Sequence, residues 1–138
     1  MIESAHTLVD SNVLLDIAGE ESQWREWSRE ALTDALVDGT VVINQLVLAE
    51  ISVRFESVGQ LEAFLPMQSF ERENLPWEAA FLAGKAFALY KRRGGTKRAP
   101  MPDFYIGAHA AVRGYRLLTR DTARFTSYFP KLDVIGPD

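Results

Sequence analysis

Four carboxylates in this 138-residue chain are placed where acids do chemistry. Asp10 directly ends the apolar run Thr7-Leu8-Val9, and Glu50 lies inside Leu46-Val47-Leu48-Ala49-Glu50-Ile51-Ser52-Val53. Asp103 follows Pro102 at the head of an apolar segment, and Asp121 stands two residues after Thr119. Each also has a structural explanation. Asp10 and Asp121 suit helix N-caps, Asp103 suits the positive end of a helix dipole, and Glu50 has Arg54 at i+4 as a salt-bridge partner. Together they say more, because separations of 40, 53 and 18 residues belong to distant elements brought together by folding, not to a local calcium loop. Converging carboxylates raise one another's proton affinity, and a hard divalent cation such as Mg²⁺ or Mn²⁺ relieves them. Such an ion lowers the pKa of an attacking water and accepts phosphate, which points to phosphodiester hydrolysis.

The elements needed to gather these acids are legible as strands alternating with helices. Thr7–Val9 reads as a strand, followed by a polar turn and a helix over 13–18. Apolar positions at helical spacing predict a helix over 20–38, stopped by Gly39. The β-branched run Thr40-Val41-Val42-Ile43 reads as a buried strand, and 45–55 as a second buried helix. A short helix over 61–65 and a strand over 67–71 follow. The stripe Trp77, Ala80, Phe81, Gly84, Ala88 predicts a helix behind Pro76 that runs to Arg93 and buries that stripe. Pro102 opens a helix to Arg113 whose Asp103 face also carries Ile106, Gly107 and Ala110. Strands at 116–119 and 132–135 complete the set. The expected fold is an α/β sandwich with a mainly parallel central sheet, and ligands bind such sheets at the carboxyl ends of the strands, where three of the four acids fall.

Composition narrows the choices. With 47% hydrophobic residues the chain can bury a core, and residues 1–138 are expected to form one domain. The absence of cysteine excludes disulfides, thiolate zinc sites and cysteine nucleophiles, and two histidines, His6 and His109, leave little for a His-pair ribonuclease. His109 lies off the Asp103 face and reads as a packing or surface residue, and Trp24 and Trp27 read as core or dimer anchors. The sequence has no apolar stretch near the roughly 18 residues of a membrane span and no secretory pattern at its N-terminus, so the expected location is cytoplasmic, away from membranes. The net charge of −4 argues against coating nucleic acid by bulk charge. Setting the four acids aside leaves 15 acidic and 15 basic residues, so the excess negative charge is concentrated in the proposed pocket. Five of the 15 basic residues crowd into Lys91–Arg98. Arg92, Arg93, Lys97 and Arg98 there could contact phosphates, or the segment could complement a helix C-terminus and solvate a loop.

In the order Leu8-Val9-Asp10-Ser11-Asn12-Val13-Leu14-Leu15, Leu48-Ala49-Glu50-Ile51, Pro102-Asp103-Phe104-Tyr105-Ile106-Gly107-Ala108-His109-Ala110 and Leu117-Leu118-Thr119-Arg120-Asp121, the sequence resembles PIN-domain ribonucleases, specifically VapC-type toxins of toxin–antitoxin pairs. The resemblance implies a PIN-like three-layer α/β/α sandwich. It places Asp10, Glu50, Asp103 and Asp121 in the family's metal-binding quartet, with Asn12 and Thr119 in supporting positions. It also implies Mg²⁺- or Mn²⁺-dependent endonucleolytic cleavage of RNA, homodimerisation, and inhibition by a cognate antitoxin in the active-site groove. One departure stands out: Thr122 and Arg124 follow Asp121 where the family often has further acids, which bears on a second metal site. Two other enzyme-like readings are weaker. An aspartyl phosphatase wants a second Asp where Asn12 stands, and a receiver-like domain wants a lysine after its last core strand. From another class, a metal-dependent module that binds RNA and blocks its use without cutting is the alternative.

Overall fold

The computed structural model describes residues 5–19, 22–95 and 101–137. Five strands form one parallel sheet: β1 (Ala5–Val9), β2 (Gly39–Ile43), β3 (Phe70–Arg72), β4 (Arg116–Leu118) and β5 (Val134–Ile135). The order across the sheet is β3-β2-β1-β4-β5, all parallel. The connecting helices are α1 (Ser11–Ala18), α2 (Arg25–Asp38), α3 (Gln45–Ser52), α4 (Val58–Phe64), α5 (Trp77–Arg92), α6 (Met101–Arg113) and α7 (Thr122–Tyr128).

The chain moves outward from β1 to β2 and β3, then crosses back to β4 and β5. Right-handed crossovers therefore put α1 to α4 on one face of the sheet and α5 to α7 on the other. The packing agrees, with α1 against α2 and α3, and α5 against α6 and α7. This is the three-layer α/β/α arrangement expected. The core is lined by Leu8, Val9, Val41, Val42, Ile43, Leu117 and Leu118 from the strands, all at most 1% exposed. The continuous apolar strands reflect burial on both faces.

Three local expectations are corrected. The described part of the second helix begins at Arg25, because residues 22–24 turn before it, and α3 ends at Ser52, short of Phe55. The stripe predicted to bury α5 faces outward: Trp77 is 90% and Phe81 71% exposed, while Ala79, Ala83 and Ala86 face the core. Small residues won that face because α5 packs closely on α6.

Candidate active site

The topology dictates where the site must be. β1 sends the chain to one side, toward β2, and pairs on its other side with β4, so the carboxyl ends of β1 and β4 flank the point where strand order reverses. Asp10 leaves β1 there and Thr119 leaves β4 there. Asp10 is the N-cap of α1, and its Oδ1 accepts from the Ser11 amide at 2.7 Å. Thr119 Oγ1 donates to Asp10 Oδ2 at 2.8 Å and accepts from the Asp121 amide at 3.0 Å. Asn12 spans the same gap, with Nδ2 at 3.4 Å from Thr119 Oγ1 and Oδ1 accepting from the Arg120 amide at 3.2 Å. The predicted supporting pair thus joins the ends of the two central strands.

Glu50 enters from α3. Its Oε1 accepts from Ser11 Oγ at 2.7 Å, so the side chain turns toward α1 and the predicted Arg54 pair is absent. The Arg54 guanidinium lies against Gly19 instead. Asp103, in the first turn of α6, is one-third exposed at its side chain, with Ile106, Gly107 and Ala110 buried on the same face as expected. Asp121 caps α7, accepting from the Arg124 amide at 3.4 Å. Arg124 then reaches both acids, with Nε at 3.3 Å from Asp121 Oδ2 and Nη1 at 3.6 Å from Asp103 Oδ2.

The electrostatics show that the acids feel one another. Burial pushes the Asp10 carboxyl up from 3.8 to about 7, and the charges of Asp103 and Glu50 add to it against the opposing Thr119 hydrogen bond. Asp103 is raised by burial, opposed by Arg124, and raised further by Glu50 and Asp121. As they stand, no three acidic or histidine side chains among the described residues close on one ion. The donor chemistry nonetheless fits a hard divalent cation. Asp10, Glu50 and Asp103 offer oxygen, and among the described residues Asp10 and Glu50 have only neutral hydrogen-bond partners.

Three features escaped the sequence. Ser11 orients Glu50 across 39 residues, which no local spacing reveals. Asp16, 5% exposed, receives Ser22, Ser28 and both Nε and Nη2 of Arg120, locking α1 to the segment after β4. His109 is fully buried and bonded on both nitrogens, with Asn44 at 3.0 Å and Glu73 at 2.8 Å. Asn44 Oδ1 is taken by the Val47 amide, so its Nδ2 donates to His109 Nδ1 and His109 Nε2 donates to Glu73. Of the basic segment, Arg92 is exposed in the last turn of α5, and Arg93 stacks over Tyr128 at 5.1 Å and bonds the Ser127 carbonyl at 3.4 Å. Lys97 and Arg98 lie outside the described residues. Trp27 packs against the core, with Trp24 edge-on to it.

No curated protein matches the sequence. Among solved structures, the chain is similar to VapBC2 from Rickettsia felis, solved with a fragment of promoter DNA, at 17% identity, TM-score 0.72, covering 96% of this chain and 99% of the other. FitAcB from Neisseria gonorrhoeae gives 20% identity and TM-score 0.69, covering 95% and 97%. VapC20 of Mycobacterium tuberculosis, a toxin that cleaves the sarcin–ricin loop, gives 14% identity and TM-score 0.65, covering 95% and 99%. These identities establish shared fold. The PIN domain family matches residues 7–128 directly, and with the sheet order and the gathered acids, this chain belongs to the PIN-domain family.

Proposed function

We propose that this PIN-domain protein is the toxin of a toxin–antitoxin pair and a Mg²⁺- or Mn²⁺-dependent endoribonuclease. The observation that carries the reading is Asp10: a carboxyl 3% exposed, raised to about 7 by burial and by two further acids, at the reversal point of a parallel sheet. Capping α1 needs only a hydrogen-bond acceptor there, which a neutral Ser or Asn would also supply. A divalent ion supplies a Lewis acid that lowers the pKa of a water and takes up charge on the phosphate. Asp10, Glu50 and Asp103 would hold it, with Asp121, the fourth acid of the set, engaged by Arg124. Thr119 and the Ser11 amide fix both oxygens of Asp10, and Ser11 Oγ aims Glu50. Asn12 holds the Thr119–Arg120 backbone against α1, so the acids are preorganised before substrate arrives.

The partner reading rests on the neighbours, which include complexes named for both components of such pairs. A cognate antitoxin would cover the acid pocket, and Trp77 and Phe81 on α5 supply an exposed apolar surface for a second copy of the chain. Among the described residues no helix is long and apolar enough to cross a membrane.

The test is incubation of the purified chain with a pool of structured and single-stranded RNA in Mg²⁺, Mn²⁺ or chelator, beside Asp10→Asn. Metal-dependent cleavage lost at least 100-fold in the variant supports the reading. Metal-dependent RNA binding with no cleavage by either protein replaces it with the non-cutting module, and equal cleavage by both refutes the site.

A further inference from the structure

Arg124 is the one cation among the described residues that forms ion pairs with the acid quartet, and its placement is unusual. It pairs with two of the four acids from α7, Nε toward Asp121 and Nη1 toward Asp103. Its Nη1 is fully buried yet has no hydrogen-bond partner, lying just too far from Asp103 to make one. A guanidinium placed for stability alone would bring its planar fork to bidentate hydrogen bonds, as Arg72 does on Glu62 at 2.6 and 3.2 Å. Arg124 instead presents a buried, unbonded N–H to the interior of an acid pocket. The charge there is unevenly met: among the described residues Asp103 and Asp121 have a cation, and Asp10 and Glu50 have none.

Charge arithmetic turns this asymmetry into a stoichiometry. Four ionised carboxylates are neutralised by two divalent cations. With a guanidinium among them, one divalent ion leaves a single negative charge, and a second makes the pocket net positive while competing with Arg124 for the same oxygens of Asp103 and Asp121. Like charges a few ångströms apart in a half-buried site repel strongly.

We propose that Arg124 is a built-in cation standing in for a second metal, so that the site takes up one divalent ion on the Asp10, Glu50 and Asp103 side and a second only when Arg124 is removed. The inference rests on the metal-dependent reading above and deepens it. Arg124 is thus a positioning residue, acting through Asp103 and Asp121.

The experiment is calorimetric titration of the purified full chain with MnCl₂ in the absence of RNA, for wild type, Arg124→Gln and Arg124→Lys, with thermal melting at each endpoint. One Mn²⁺ per chain is expected for wild type and for Arg124→Lys, which keeps the charge. Two are expected for Arg124→Gln, with a Tm lower than wild type without metal and a larger upward shift on saturation. Two ions in wild type overturn the proposal without recourse to any variant, so a poorly folding Arg124→Gln leaves it falsifiable. One ion in wild type and in a folded Arg124→Gln overturns it while leaving the nuclease reading intact. No binding by any of the three proteins overturns both.

Discussion

At Asp10, two demands conflict. The proposed role as a metal ligand requires its carboxyl to be an anion, yet burial and the neighbouring acids keep its proton bound up to about pH 7. In the metal-free protein this is a stability penalty that Asn removes. We expect Asp10→Asn to stabilise the metal-free chain by up to about 4 kcal/mol at pH 8, with the gain disappearing near pH 4, where the wild-type residue already carries its proton. Urea midpoints at the two pH values check this, and a variant less stable than wild type at pH 8 would refute the electrostatic account. The acids themselves were legible in the sequence, because each interrupts an apolar pattern or abuts a strand. Their partners were not. Glu50 was matched with Arg54 by helical spacing, but the shorter path across the fold leads to Ser11, and the choice is made by packing of α1 against α3.

Elements show the same division between pattern and packing. Alternating strands and helices were readable from β-branched runs, proline starts and glycine stops, and Gly114 indeed ends α6 with φ of 71°. The face of α5 was not readable, since both of its faces carry apolar residues and only the approach of α6 decides that Ala79, Ala83 and Ala86 go inside. The same close packing recurs on α6, where a Cβ on Gly107 would lie 2.5 Å from the Phe129 ring. The outward face of α5 is left with Trp77 and Phe81 one turn apart, and Lys85 lies over the Phe81 ring at 5.0 Å. In the proposed homodimer this exposed aromatic pair lies at the seam, so Phe81→Asp combined with Trp77→Asp should convert the dimer to a monomer without lowering Tm by more than a few degrees. Light scattering coupled to size exclusion reads the mass. A wild-type chain that is monomeric at micromolar concentration would sink this assignment.

Polar networks tie distant parts of the molecule together, among them one around Asp16 and one around Glu73. In the first, Asp16 and Arg120 join α1 to the β4 exit. In the second, Glu73 receives His109, Arg113 and Tyr115, and the Tyr115 hydroxyl is pushed up to about 12 by burial and by Glu73. Burial raises Glu73, but its hydrogen bonds from His109 and Tyr115 outweigh that and hold it below the usual carboxylate range. The signs of the two shifts are opposite. Glu73, depressed, contributes stability that is lost as pH falls through its folded value, whereas Asp10, raised, removes stability as pH climbs from 3.8 to about 7. Metal-free stability should therefore be greater at pH 5 than at pH 7.5, and saturating Mg²⁺ should narrow or reverse that difference because the ion takes the place of the proton. Denaturant midpoints at both pH values with and without Mg²⁺ measure it, and a metal-free midpoint higher at pH 7.5 would contradict it.

The strand order has a consequence in time. β1, at residues 5–9, is the central strand, and its neighbour β4 is more than one hundred residues further along the chain. Synthesis delivers β1 first, yet Thr119, Asp121 and the register that aligns them with Asp10 emerge more than one hundred residues later. A nascent chain stalled between Glu50 and β4 carries Asp10 and Glu50 but has no complete pocket. A nascent chain of the proposed toxin thus has no complete site until β4 is made, which leaves the time taken to synthesise the chain from β1 to β4 for a neutralising partner to be made beside it.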